Sequence, residues 1–312
     1  MSTRTAILMK RVSIAHRLLA TLFVLALPAE AVAQTAARTS ENVGTIIVAH
    51  GADSVWNSRV IEVARAVRTG GPVEVSFLMG SGAKTARFQD AVARLEAQGV
   101  RSIVVVPMLV SSHSGHYDQI KYLVGDSVGL DPEMMHHLQM SGIERPKARV
   151  PIRLTPALDD APQLGRVLAD RALALTTEPK QRALFIIGHG PNSAEDYAAW
   201  MINLRRVADS VKVWTGFRDV RVDLVRDDAP AEVRAEAVRR IRELIDLQHM
   251  VTGHDVIVIP ALISKGSVSS EKIPADLQGL PIVYSGNSLL PHPEMARWVA
   301  ARVESATAAG GH

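Results

Sequence analysis

The sequence predicts an α/β chain in which one domain occurs twice, each copy a parallel sheet flanked by helices. Three observations predict it. Short apolar, β-branched runs alternate with helix-patterned segments, the rhythm of right-handed βαβ units. Three phrases from the first half return in the same order in the second half. The chain has 312 residues, 47% hydrophobic and 21% charged, a globular composition long enough for two ordinary domains.

The elements follow in order. Residues 1–33 read as a secretory signal peptide. Arg4, Lys10, Arg11 and Arg17 form a positive n-region, Leu18 to Leu27 an apolar core, and Ala31-Val32-Ala33 a small-x-small cleavage site before Gln34. The core is about 10 residues, against roughly 20 for a membrane span, so cleavage is expected rather than a retained anchor. Residues 34–43 read as a flexible mature N-terminus. Then comes Thr45-Ile-Ile-Val-Ala-His50-Gly51, a buried strand running into a turn, which returns as Leu184-Phe-Ile-Ile-Gly-His189-Gly190. Ile103-Val-Val-Val-Pro107-Met-Leu-Val-Ser111 returns as Val256-Ile-Val-Ile-Pro260-Ala-Leu-Ile-Ser264. Leu158-Asp-Asp-Ala-Pro162-Gln-Leu-Gly-Arg166 returns as Leu289-Leu-Pro-His-Pro293-Glu-Met-Ala-Arg297.

Strands are predicted at 45–49, 73–78, 102–106 and 149–154, as near-continuous apolar runs of the kind buried on both faces. Between them, Phe88, Val92 and Leu95 share one helical face, and Gly99 sits where a C-terminal cap belongs; Val238, Ile241 and Ile245 repeat that pattern. The pattern gives two tandem flavodoxin-like domains, 44–176 and 182–308, related by internal duplication. Ligands in such sheets bind beyond the carboxyl ends of the strands.

Composition removes several function classes. Cysteine is absent, which excludes disulfide scaffolds, thiolate metal sites, iron–sulfur clusters and cysteine nucleophiles. Of 35 basic and 32 acidic residues, four and one lie in residues 1–33, so the remainder carries 31 of each. No basic patch for nucleic acid and no membrane association after signal cleavage are implied. No glycine-rich phosphate loop, Gly-x-Ser-x-Gly elbow or His-Glu-x-x-His motif occurs, and no organic cofactor is indicated.

The chemistry sits at strand ends. His50 follows the first strand; His113 and His116 follow the strand ending at Val106. Neighbouring strands would turn these imidazoles into one cleft. Neutral imidazole suits cobalt, nickel, iron, copper and zinc, and accepts protons near neutral pH. A single histidine at a strand end more often bonds to a loop; two at converging ends point to a site.

These residues carry a family resemblance. The chain resembles the class II chelatases of the sirohydrochlorin cobaltochelatase and ferrochelatase group (CbiX-like) over nearly all of residues 44–305. The likeness rests on His50-Gly51 and His189-Gly190, on Pro107-Met-Leu-Val-Ser-Ser-His-Ser-Gly115-His116-Tyr-Asp-Gln-Ile120, on Thr155-Pro-Ala-Leu158, and on residues 162–171. It implies two tandem chelatase-fold domains and insertion of a divalent metal, Co²⁺ or Fe²⁺ with Ni²⁺ also suited, into a tetrapyrrole such as sirohydrochlorin. It implies that His50 and His116 hold the metal and accept the pyrrole protons. The loop from Pro107 to His116 is one residue longer than the family form, so His113 replaces or joins His116; Gly115 favours His116. Ser111, Ser112, Tyr117 and Lys121 are candidate rim contacts. Val268 stands where the second copy would carry its histidine, which makes that copy a support half, with His189 orphaned or merely structural. Met79 follows Phe77-Leu78 where some family members carry a glutamate.

Three features remain. Met134-Met-His-His-Leu-Gln-Met140 is unmatched in the second copy; thioether and imidazole suit copper(I) or metal relay, whereas a surface helix would pack its methionines. Asp159-Asp160 and Asp227-Asp228 each precede a proline at a helix start, so N-terminal capping is expected. The signal peptide implies a periplasmic or secreted protein. The same residues also admit a non-catalytic periplasmic protein that binds or delivers metal or tetrapyrrole. The sequence leaves the oligomeric state open.

Overall fold

The computed structural model describes residues 42–309. Residues 1–33, expected to be a signal peptide, and nearly all of the expected flexible segment 34–43 lie outside the described residues. Two four-stranded parallel sheets are present. The first has order β2-β1-β3-β4, from β1 (Val43–Ala49), β2 (Val73–Phe77), β3 (Ser102–Met108) and β4 (Ile152–Leu154). The second has order β6-β5-β7-β8, from β5 (Ala183–Gly188), β6 (Asp219–Leu224), β7 (Val256–Ala261) and β8 (Ile282–Tyr284). The duplicated α/β architecture expected from the repeated phrases is therefore present.

The apolar runs dictate the order. All seven residues of β1 are buried, because β1 is central and covered on both faces. It pairs with β2 from Thr45↔Val73 to Ala49↔Phe77, and with β3 from Val43↔Ser102 to Ala49↔Met108. The edge strand β4 is three residues long, none buried. In the second sheet β5 is likewise central and buried throughout.

The long helices are α1 (Ser54–Ala66), α2 (Phe88–Ala97), α3 (Gly115–Val124), α4 (Pro132–Met140), α5 (Pro162–Leu173), α6 (Ala194–Thr215), α7 (Ala231–Thr252) and α8 (Pro293–Ala308). Their starts follow from local chemistry: Asp53 caps α1 through Trp56 N–H at 2.8 Å, and Ser114 caps α3 through Tyr117 N–H at 3.3 Å. Gly99 has φ +77° just past α2, the left-handed position expected of it. Among the described residues no helix is long and apolar enough to cross a membrane.

The core has three layers. One apolar cluster lies outside the first sheet, built from Phe88, Val92 and Leu95 of α2 with Ile120 and Leu138. Another lies outside the second sheet, around Ile241 and Ile245. The largest runs between the sheets and draws on both halves, with Trp56, Val60, Leu164, Trp200, Leu204 and Trp298. Within this layer the last helix of each repeat crosses over. Helix α5 packs on β7 and α6, while α8 packs on β1, β3 and α1. Polar stitches follow the same crossing: Arg302 donates to Ala157 O at 2.7 Å, and Arg171 to Ser288 O at 3.1 Å and Pro291 O at 2.7 Å.

Candidate metal centre

The order β2-β1-β3 brings the carboxyl ends of β1 and β3 together, where a parallel sheet of this kind opens a crevice. His50 leaves β1 there, followed by Gly51 at φ +86°. A side chain at Gly51 would put its Cβ 2.4 Å from Met79 O, so only glycine fits this turn. His116 reaches the same place from the first turn of α3. The two imidazoles meet edge to face, with centroids 4.5 Å apart and planes 84° apart.

Hydrogen bonding fixes which nitrogen of each ring is free. His50 Nδ1 lies 2.6 Å from Gly51 O. A carbonyl only accepts, so Nδ1 carries the hydrogen and Nε2 keeps its lone pair. His116 Nδ1 lies 2.9 Å from Gln119 Oε1, and Gln119 Nε2 donates to Met134 O at 2.7 Å. With its amide nitrogen so used, Gln119 offers only its oxygen, and His116 also holds its hydrogen on Nδ1. Gln119 is fully buried, so this orientation is locked. Both Nε2 atoms are thus left as donors to a metal or acceptors of a proton.

Both rings are kept neutral. Burial, with the charge of His116 adding to it, pulls His50 from 6.5 down to about 4. Burial also pulls His116 below the usual histidine range, against the opposing effect of its bond to Gln119.

His113 is not brought into this pair. It is exposed, its backbone N–H is held by Ser111 Oγ at 3.1 Å, and Ser114 beside it is committed to capping α3. The proposed rim contacts also differ from expectation. Ser112 Oγ donates to Asp159 at 2.6 Å and accepts from Ala157 N–H, and Tyr117 donates to Thr155 O at 3.2 Å. These groups brace the loop from within, Ser111 is buried, and Lys121 lies outside on Asp118 at 3.0 Å.

The capping expected of the aspartate pairs is not found. No side chain caps α5 or α7. Asp159, at φ +49°, instead holds Ser112 through both its N–H and hydroxyl. Asp160 pairs with Arg206 at 3.1 Å, and Asp227 with Arg234 at 3.1 Å and Lys272 at 2.6 Å. Asp228 lies 3.4 Å from His189 Nε2.

Sequence reasoning missed Gln119, whose i+3 spacing from His116 was the available signal. It also left open what the Met134–Met140 segment does. That segment is α4, and it lies against the site. Met134 accepts from Gln119, its side chain occupies the space above Gly115, and the charge of His137 acts on His116. His137 Nδ1 is buried and makes no hydrogen bond to the protein. In the second half Val268 opens a π-helical turn, Val268–Lys272, and packs on the outer apolar cluster.

Residues 44–175 match the CbiX family. Over this segment the chain is similar to the class II chelatases. Among solved structures it is similar to SirB from Bacillus subtilis with Fe³⁺, at 14% identity and TM-score 0.61, covering 86% of this chain and 97% of that one. SirB from Bacillus subtilis subspecies spizizenii in complex with cobalt matches at 15% identity and TM-score 0.58, over the same shares of 86% and 97%. DR2241 from Deinococcus radiodurans, a multi-domain protein with structural similarity to chelatases, matches at 16% identity and TM-score 0.51, covering 84% of this chain and 54% of that one. At these identities the likeness is one of fold. No curated protein matches the chain.

Proposed function

We propose that this protein inserts a divalent metal, Co²⁺ or Fe²⁺, into a tetrapyrrole of the sirohydrochlorin type, with His50 and His116 holding the metal on its way to the ring. The single observation that carries the reading is the pair itself: two neutral imidazoles, 4.5 Å between centroids, each with Nδ1 tied off and Nε2 free. Two neutral nitrogens with open positions hold a borderline metal loosely enough to surrender it. Thiolates would compete with the ring for it, and the chain has none. The match of residues 44–175 to the CbiX family, and a fold shared with SirB proteins whose structures contain Fe³⁺ or cobalt, support the reaction class. The repeat supports 44–176 as the site-bearing domain and 182–308 as its partner. The n-region, apolar core and small-x-small site of residues 1–33 support work outside the cytoplasm, in the periplasm, after cleavage before Gln34.

The test is an anaerobic absorbance time course of the protein from Gln34 onward with sirohydrochlorin and Co²⁺, beside the double variant His50→Ala/His116→Ala. Conversion over many turnovers by the wild type and none above background by the variant is expected. A stoichiometric spectral shift without turnover would replace this reading with that of a metal- or tetrapyrrole-binding protein. Sequencing the N-terminus of the periplasmic form tests the export reading; a mature protein that begins at Met1 would refute it.

A further inference from the structure

The half that carries the histidine pair also carries a helix that the other half lacks. Between β3 and β4 the chain forms α3 and then α4. Between β7 and β8 it forms only the π-helical turn Val268–Lys272 and the single helical turn Ile273–Asp276. Helix α4 therefore has no counterpart, and it accompanies His116, whose position in the second half is taken by Val268.

One face of α4 is turned inward. Met134, His137 and Leu138 stand at i, i+3 and i+4, which share a helical face. Leu138 is 1% exposed and packs in the outer apolar cluster, whereas His136, Gln139 and Met140 are exposed. Apolar packing accounts for Leu138 but not for the other two. Met134 lies on Gly115, where a Cβ would come 2.8 Å from its Sδ and 3.1 Å from its Cγ. Gly115 has helical backbone and no positive φ, so its conformation does not call for glycine; the space taken by the thioether does. His137 Nδ1 is shut off from solvent, and among the described residues nothing hydrogen-bonds to it. A buried polar atom left so costs about 1–3 kcal/mol, which a ligand would recover.

The face is close to the pair but separate from it. Gln119 ties the two together, its Nε2 donating to Met134 O at 2.7 Å and its Oε1 lying 2.9 Å from His116 Nδ1. That contact turns an N–H of His116 toward Gln119, not a lone pair, so His116 brings no ligand atom to α4 through Nδ1. Solvent has its own way in: a groove of about 350 Å³ between Asp118, Ser127 and Asp131 reaches Gly115 and Met134. The donor set is a thioether and an imidazole, with neither thiolate nor carboxylate on this face of α4. Such a set is soft, and suits copper(I) rather than Co²⁺ or Fe²⁺.

We propose that Met134 Sδ and His137 Nδ1 form a copper(I) site, distinct from the pair at His50 and His116. The ion gives the buried nitrogen of His137 its partner, and the three rotatable bonds of the methionine let its sulfur close on the same ion. This site stands whatever reaction the pair performs.

The test starts from the protein from Gln34 onward carrying His50→Ala and His116→Ala, so that copper on the pair does not count. Cu(I) is titrated anaerobically against the coloured chelator bicinchoninate. One equivalent should bind, and adding Met134→Leu or His137→Phe should weaken it at least about 100-fold, more than loss of a supporting partner costs. X-ray absorption at the copper edge should show a sulfur ligand that Met134→Leu removes; the chain has no cysteine, so that sulfur belongs to a methionine. Met134→Leu keeps the side-chain bulk and the Met134 carbonyl, and circular dichroism should show the fold intact. With the pair restored, Met134→Leu should leave Co²⁺ affinity within about twofold of wild type, because a thioether adds little for that ion. Absence of Cu(I) binding in the starting protein would overturn the proposal. So would equal binding by Met134→Leu and His137→Phe, or a copper ion with no sulfur ligand. A Co²⁺ affinity that falls in step with Cu(I) affinity would also overturn it, since α4 would then belong to the metal site of the pair.

Discussion

Lowering the pH from 7.5 to 4 should destabilise the fold through His50 by an amount the structure sets. The unfolded chain binds a proton on His50 near 6.5, whereas the folded chain does so only near 4, because burial and the neighbouring His116 oppose the charge. Between those values the unfolded state holds more protons, so stability is complete above about pH 6.5 and is lost as pH falls toward 4. At about 1.4 kcal/mol per pH unit the loss is about 3 kcal/mol, a ceiling for a residue that is only partly buried. His116, lowered for the same first reason, adds in the same direction. The assay is urea unfolding at half-unit steps of pH for wild type and His50→Gln. Wild type should lose more stability across this window, with a difference between the two of up to about 3 kcal/mol. Parallel curves would refute the claim that the folded protein holds His50 neutral. The same reasoning makes Co²⁺ binding persist below pH 6, where an ordinary imidazole would release it.

Other predictions follow from single contacts. Gln119→Leu should leave His116 Nδ1–H and Met134 O unpaired. A cost of about 1–3 kcal/mol in stability and a roughly tenfold weaker Co²⁺ affinity are expected, read by urea unfolding and calorimetry. Gly51→Ala would force a Cβ to 2.4 Å from Met79 O and should lower Tm sharply and abolish metal binding; a variant as stable as wild type would contradict the turn geometry. Trp298→Ala on α8 should cost about 3–5 kcal/mol, and hydrogen exchange should show β1 and β3 losing protection before β5 and β7.

Much of this was legible in the sequence because it depends on local pattern. The run Thr45 to Ala49 had to be a doubly covered strand, Gly99 had to cap a helix, and the repeated phrases had to give the same sheet twice. The convergence of His50 and His116 was legible because both follow strands of one parallel sheet, whose outgoing loops share its carboxyl edge. What was not legible is pairwise and distant. Periodicity shows that α8 has an apolar face but not that the face belongs to the first sheet. Nothing in Asp227-Asp228 distinguishes a cap from an ion pair with Lys272, since the lysine lies 45 residues away. His113 and His116 could not be separated by spacing alone, because the outcome hung on which residue Ser114 caps.

The crossed final helices set the timetable on which the chain can fold as it is made. The first sheet is complete by residue 154, yet β1 and β3 receive part of their cover from residues 293–308, made some 140 residues later. A nascent chain that stops short of Pro293 has its first sheet paired, with α1 on that face but without α8. The longest-range contacts are thus required by the earliest element, and the first half cannot close until residues 293–308 have been made.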